Sequence, residues 1–130
     1  MRFFLTILFG ATLIAGCSHS STLATKIQNA GGVAVLVKDW HSIFDEHLKT
    51  QKEFWMANDS SLPAAIAALQ PQVVQATKYD DLPMVDIQIT GGFRHNGLLI
   101  LLTNAPPNLV PQKSNWSVTK ITEGVFEYRE

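Results

Sequence analysis

MVDIQIT-GGFRHNG-LLILLT, residues 84–103, decides the fold. In its first run Val85, Ile87 and Ile89 point one way, while Met84, Asp86, Gln88 and Thr90 point the other. A period of two marks a half-buried strand. In its last run Leu98 to Leu102 are apolar without interruption, the pattern of a strand covered on both faces or packed under a helix. Between them Gly91, Gly92 and Gly97 surround Phe93, Arg94, His95 and Asn96. Two strands joined by a glycine-rich polar segment predict a β-hairpin at the centre of the sheet.

On the C-terminal side, Asn104 to Ser114 holds three prolines and little pattern and reads as a loop. Trp116 to Ile121 and Val125 to Tyr128 read as strands around the turn Thr122-Glu123-Gly124. On the N-terminal side, Gln72 to Tyr79 reads as a strand and Asp80-Asp81-Leu82-Pro83 as a turn. A short helix is expected over Ala64 to Leu69, capped by Ser60 or Ser61 and stopped at Pro71. Glu53 to Ala57 fits a short strand or a packed connection.

Val33 to about Lys52 carries helical periodicity, with Val33, Leu36, Val37, Trp40, Phe44 and Leu48 on one face. Before it Thr22 to Ala30 fits a short helix, and Gly31-Gly32 would break it. Helices followed by a run of strands give an α+β fold. The expectation is an antiparallel meander of four to five strands, with two helices N-terminal to it packed on one face.

The chain has 130 residues, 46% of them hydrophobic, which suits one domain. Its start is different in kind. Met1-Arg2 is followed by a mostly apolar run from Phe3 to Ile14 and then by small residues. This order describes a secretory signal, and the run is too short for a membrane span of roughly 20 residues. Leu13-Ile14-Ala15-Gly16-Cys17 resembles the lipobox of bacterial lipoproteins. The resemblance implies that residues 1–16 are removed and that Cys17 becomes the acylated N-terminus and membrane anchor. Residues 17–32 then form a lipidated tether, and residues 33–130 a single small domain. An aspartate directly after the cysteine retains such proteins in the inner membrane. Ser18 stands there instead, which implies the outer membrane, facing the periplasm.

Cys17 is the sole cysteine, so the chain forms no internal disulfide and carries no thiol site in its domain. Without Arg2, nine Lys and Arg face eleven Asp and Glu, scattered singly. With no basic patch, nucleic acid is not an expected partner. The expected partners are the membrane, through the anchor, and a protein of the envelope.

A second resemblance lies in the body of the chain. Leu62-Pro63, Ala68 to Val74, Val85 to Gln88 and the run Gly91-Gly92-Phe93 with His95 and Gly97-Leu98 are similar to small bacterial α+β proteins. Those proteins have a Gly-Gly-Phe-x-His-x-Gly hairpin. The resemblance supports the order of elements and implies no activity.

For chemistry, the segment around Gly91 to Gly97 is the most pointed. Its glycines lead into a strand, whereas a phosphate loop needs a helix N-terminus. Arg94, His95 and Asn96 are instead candidate binding residues at a hairpin tip, able to grip an anionic group. His41 and Asp45 are four apart on the long helix and face one surface point. Two ligands fall short of the three or four that zinc takes; His95 would complete a set if the tip folded beside the helix. Asp80-Asp81 reads as a solvated turn, and Trp40, Trp55 and Trp116 as core. No cofactor motif is present. The leading expectation is a non-enzymatic, membrane-anchored binding domain. The alternatives are a metal-dependent hydrolase using His41, Asp45 and His95, and an immunity- or inhibitor-type protein.

Overall fold

A computed structural model describes residues 23–90, 94–101, 106 and 108–130. In it the protein is α+β. Helices α1 (Leu23–Asn29) and α2 (Val33–Thr50) come first; α3 (Ala64–Ala68) follows strand β1 (Phe54–Met56). The remaining strands are β2 (Val73–Tyr79), β3 (Leu82–Thr90), β4 (Asn96–Leu101), β5 (Ser117–Thr122) and β6 (Val125–Arg129). All pairings are antiparallel. The sheet has six strands, one or two more than expected, in the order β1-β2-β3-β4-β6-β5. The last hairpin is therefore turned over: β6, not β5, lies beside β4, because the long segment after β4 carries the chain past its neighbour.

The expected central hairpin is present, with Val85 opposite Ile100 and Ile87 opposite Leu98. A bulge between Gln88 and Thr90 sits at the end where the two strands are joined. The turn between β2 and β3 is tighter than expected. Asp80 and Asp81 both have positive φ, as a two-residue hairpin turn requires, and Leu82-Pro83 already belong to β3.

All three helices bury their apolar sides on one sheet face. That core contains Leu36, Trp40 and Ile43 of α2, Ala65 and Ile66 of α3, and Val74, Val85, Ile87, Leu98 and Ile100 of the sheet. Trp40 and Trp55 belong to it, as expected. Leu48, placed on the buried stripe by its spacing, is 72% exposed. Each four-residue step on a helix rotates about 40° beyond a full turn, so two such steps from Trp40 carry Leu48 off the stripe. Ile43 takes the sheet-facing place.

Two local details differ from the sequence reading. α3 receives no serine cap; the Ala65 N–H donates to Asp39 Oδ2 of α2 at 2.9 Å, while Ser61 binds Asp59. α1 lies in the stretch read as tether, yet Leu23 and Ile27 are buried in the helix-side core. Gly31 and Gly32, with φ of 107° and 92°, make the sharp joint to α2 that only glycine adopts readily.

The other sheet face is also covered. Met84, Leu99, Leu101, Phe126 and Tyr128 pack beneath Leu109, Trp116 and Val118. The proline-bearing loop thus acts as a lid of side chains, and β3 is buried on both sides along Met84–Ile87. Asp86, expected on a wet face, is 6% exposed. Among the described residues, no helix is long and apolar enough to cross a membrane.

Candidate functional site

Burying a carboxylate costs several kcal/mol unless it is paired and hydrogen-bonded. Asp86 is both. Lys113, reaching down from the loop, pairs with Oδ2. The Tyr128 hydroxyl donates to Oδ1 at 2.9 Å. Burial, and next the Asp86 charge, push the Tyr128 phenol well above its ordinary range, so it remains a protonated donor.

Gly97 makes this reach possible. It lies on β4 directly between Gln88 of β3 and Tyr128 of β6, and the tyrosine side chain crosses it to reach Asp86. A Cβ at Gly97 would stand 2.1 Å from the Ile87 carbonyl oxygen and 2.6 Å from the Tyr128 hydroxyl. No side chain fits there.

From this buried pair a ladder of flat groups runs to the surface. Lys113 Nζ lies 5.2 Å from the Tyr128 ring centroid and 5.8 Å from that of Trp116, within cation–π range. Trp116 stacks on Tyr128 at 5.7 Å and 26°. His95 stacks on Trp116 at 5.1 Å and 9°, nearly parallel. Glu130 closes the outer end. His95 Nδ1 lies 2.5 Å from Glu130 Oε2, and the His95 backbone N–H donates to the same oxygen at 3.0 Å. The Glu130 N–H donates back to the His95 carbonyl at 2.9 Å. The hydrogen bond from His95 lowers the Glu130 carboxyl below its usual range.

The predicted binding residues divide here. Arg94 is exposed, His95 is tied into the ladder, and Asn96 accepts a 2.7 Å hydrogen bond from the Thr90 hydroxyl across the hairpin. Gly91, Gly92 and Phe93 lie outside the described residues, as does Cys17. Of the three tryptophans, Trp116 is the one that reaches the surface, half-buried on the loop side rather than in the helix-side core.

The metal set does not assemble. His41 and Asp45 border a groove of about 400 Å³ under α2, together with His47, Lys78 and Pro83. His95 stands on the opposite sheet face, against Trp116. Among the described residues, no three His, Cys, Asp or Glu side chains converge as metal ligands. His47 borders the same groove and binds through Nδ1 to the Lys52 carbonyl at 2.8 Å. Asp80 and Asp81 are exposed turn residues.

Asp86, Lys113 and Tyr128 were not legible as a unit. They are separated by 27 and 42 positions, counted from Asp86. The signal that could have found them is Asp86 itself, a carboxylate on a strand paired with the apolar run Leu98–Leu101 of β4. In comparison with known proteins, the chain matches no family model, no curated protein and no solved structure.

Proposed function

We propose that the chain is a lipid-anchored protein of the bacterial envelope whose domain binds an envelope protein and performs no chemistry on it. The observation that carries the binding half is the surface end of the ladder. His95 lies flat on Trp116 and is held in place by Glu130, with Arg94 exposed beside it. A rigid aromatic platform flanked by a cation loses little freedom on contact, which favours recognition of planar or acidic groups. The non-enzymatic half rests on saturation. A base or nucleophile must be able to reach a substrate proton or atom. Both Asp86 oxygens are engaged, Tyr128 is held protonated, and His95 is engaged by Glu130.

The anchoring half rests on Leu13 to Cys17 and their resemblance to a lipobox, with Ser18 favouring the outer membrane. Several acyl chains on one residue give stable attachment where a single chain does not.

A photo-crosslinking amino acid at Arg94, in cells, tests the binding. The expected result is one discrete crosslinked envelope protein, absent with the probe at Lys49 and lost when Trp116→Ala is added. An identical pattern at both positions would refute the site. Cys17→Ser tests the anchor: processing and acylation should stop. Normal maturation and membrane retention of that variant would refute the lipoprotein reading. Identification of the crosslinked protein also decides whether the role is of the immunity or inhibitor type.

A further inference from the structure

A tether fixes orientation only when it is short compared with the body it holds. Leu23 is buried, so the point where the chain leaves the domain is fixed. From Cys17 to Leu23 the chain has six residue steps, each spanning at most about 3.6 Å, or roughly 20 Å in all. α1 lies at the β5–β6 end of the sheet. A groove of about 380 Å³ there is lined by Ala24, Ile27 and Gln28 of α1, Val33 of α2, Ile121 of β5 and Glu127 of β6. The β1 edge is five strand spacings from β5, about 24 Å. The tether is shorter than the sheet is wide.

We infer that the end formed by α1, the first turn of α2 and the Ile121 end of β5 lies against the lipid bilayer. The inference rests on Cys17 carrying the anchor. The chemistry of this end agrees with it. Val35 and Ile121 are 39% and 40% exposed there, large apolar side chains suited to the headgroup boundary. Lys120 pairs with Glu123 and Arg129 with Glu127, and Lys26 on α1 adds a cation that suits anionic headgroups. The opposite orientation would need the anchor to reach around the domain. With this end down, the β1 edge points away from the membrane. Arg94, His95 and Trp116 sit at the far end of the β5–β6 hairpin from its Glu123–Gly124 turn, open to a partner.

The lone native cysteine makes the test direct, since an acylated Cys17 leaves no other thiol. The full chain is expressed in bacteria with Val35→Cys, Ile121→Cys, Leu48→Cys or Met56→Cys, all at exposed positions. Each protein is labelled with an environment-sensitive fluorophore and reconstituted in phosphatidylethanolamine–phosphatidylglycerol vesicles containing headgroup spin-labelled lipid. The labels at 35 and 121 should lose most of their fluorescence, and those at 48 and 56 should keep theirs. Equal quenching at all four, or stronger quenching at 56, overturns the orientation. Mass spectrometry of the N-terminal peptide reads the anchor separately. An unacylated Cys17 overturns the anchor and the orientation with it, whereas an acylated Cys17 with the wrong quenching pattern overturns the orientation alone.

Discussion

Lys113→Met replaces a cation with an apolar side chain of similar length that still covers Trp116 and Tyr128. It leaves the Asp86 carboxylate, 6% exposed, with Tyr128 as its sole partner. Removing one member of a buried ion pair costs about 3–5 kcal/mol. The Lys113 side chain is 29% exposed, so water replaces part of the interaction. An expected loss of about 2–3 kcal/mol follows. Tyr128→Phe leaves Oδ1 without its donor and should cost about 1–3 kcal/mol. The triple variant Asp86→Leu, Lys113→Met, Tyr128→Phe removes every polar partner together. It should fall within about 1 kcal/mol of the wild type, because no charge or donor is left stranded. Urea unfolding reads all three. With a slope of roughly 1.5 kcal/mol per M, Lys113→Met should lower the midpoint by about 1.3–2 M and the triple variant by well under 1 M. If the single losses simply add in the triple variant, the three groups do not act as a unit and the reasoning fails. A pH scan adds a second reading. The Tyr128 phenol is raised in the fold, so above about pH 10 the unfolded chain releases a proton that the folded chain keeps. Stability should be full below that pH and decline above it, and Tyr128→Phe should flatten the decline.

Gly97→Ala places a Cβ against the Ile87 carbonyl and the Tyr128 hydroxyl, so it should cost about 2–5 kcal/mol from overpacking together with the displaced hydrogen bond; unchanged melting would refute the close approach. Ile27→Ala, at a buried position of α1, should destabilise by about 2–4 kcal/mol, and a neutral result would mean that α1 is not docked. The hydrogen bond from Lys52, with help from Ser61, holds Asp59 down to about 2. Between its ordinary value of 3.8 and about 2 the unfolded chain binds the proton first, so this contribution is present above pH 4 and lost as pH falls toward 2. Asp59→Asn should flatten that acid limb of a stability–pH curve; an unaltered limb would show that the pair contributes nothing.

Local pattern carried much of this protein, because local pattern is what sequence displays. The alternation of Val85, Ile87 and Ile89 and the apolar run at Leu98 gave the two strands of the central hairpin. The stripe through Leu36, Trp40 and Phe44 gave α2, and Gly31-Gly32 gave its start. The sequence reading failed where distance in the chain vanishes in space. Nothing in the period of β3 says that its second face is dry. That face is dry because a patternless loop brings Leu109, Lys113 and Trp116 onto it. Once covered, Asp86 must have partners, and Tyr128 can be one only because Gly97 lets it pass. His95 looked like the tip of a turn and is instead the outer rung of that ladder, because β6 rather than β5 pairs with β4 and brings Glu130 beside it. Periodicity determined which residues are in strands and helices. Only the crossing of distant segments decided which polar groups are buried together, since a buried charge is satisfied by whatever the tertiary fold sets within hydrogen-bond reach.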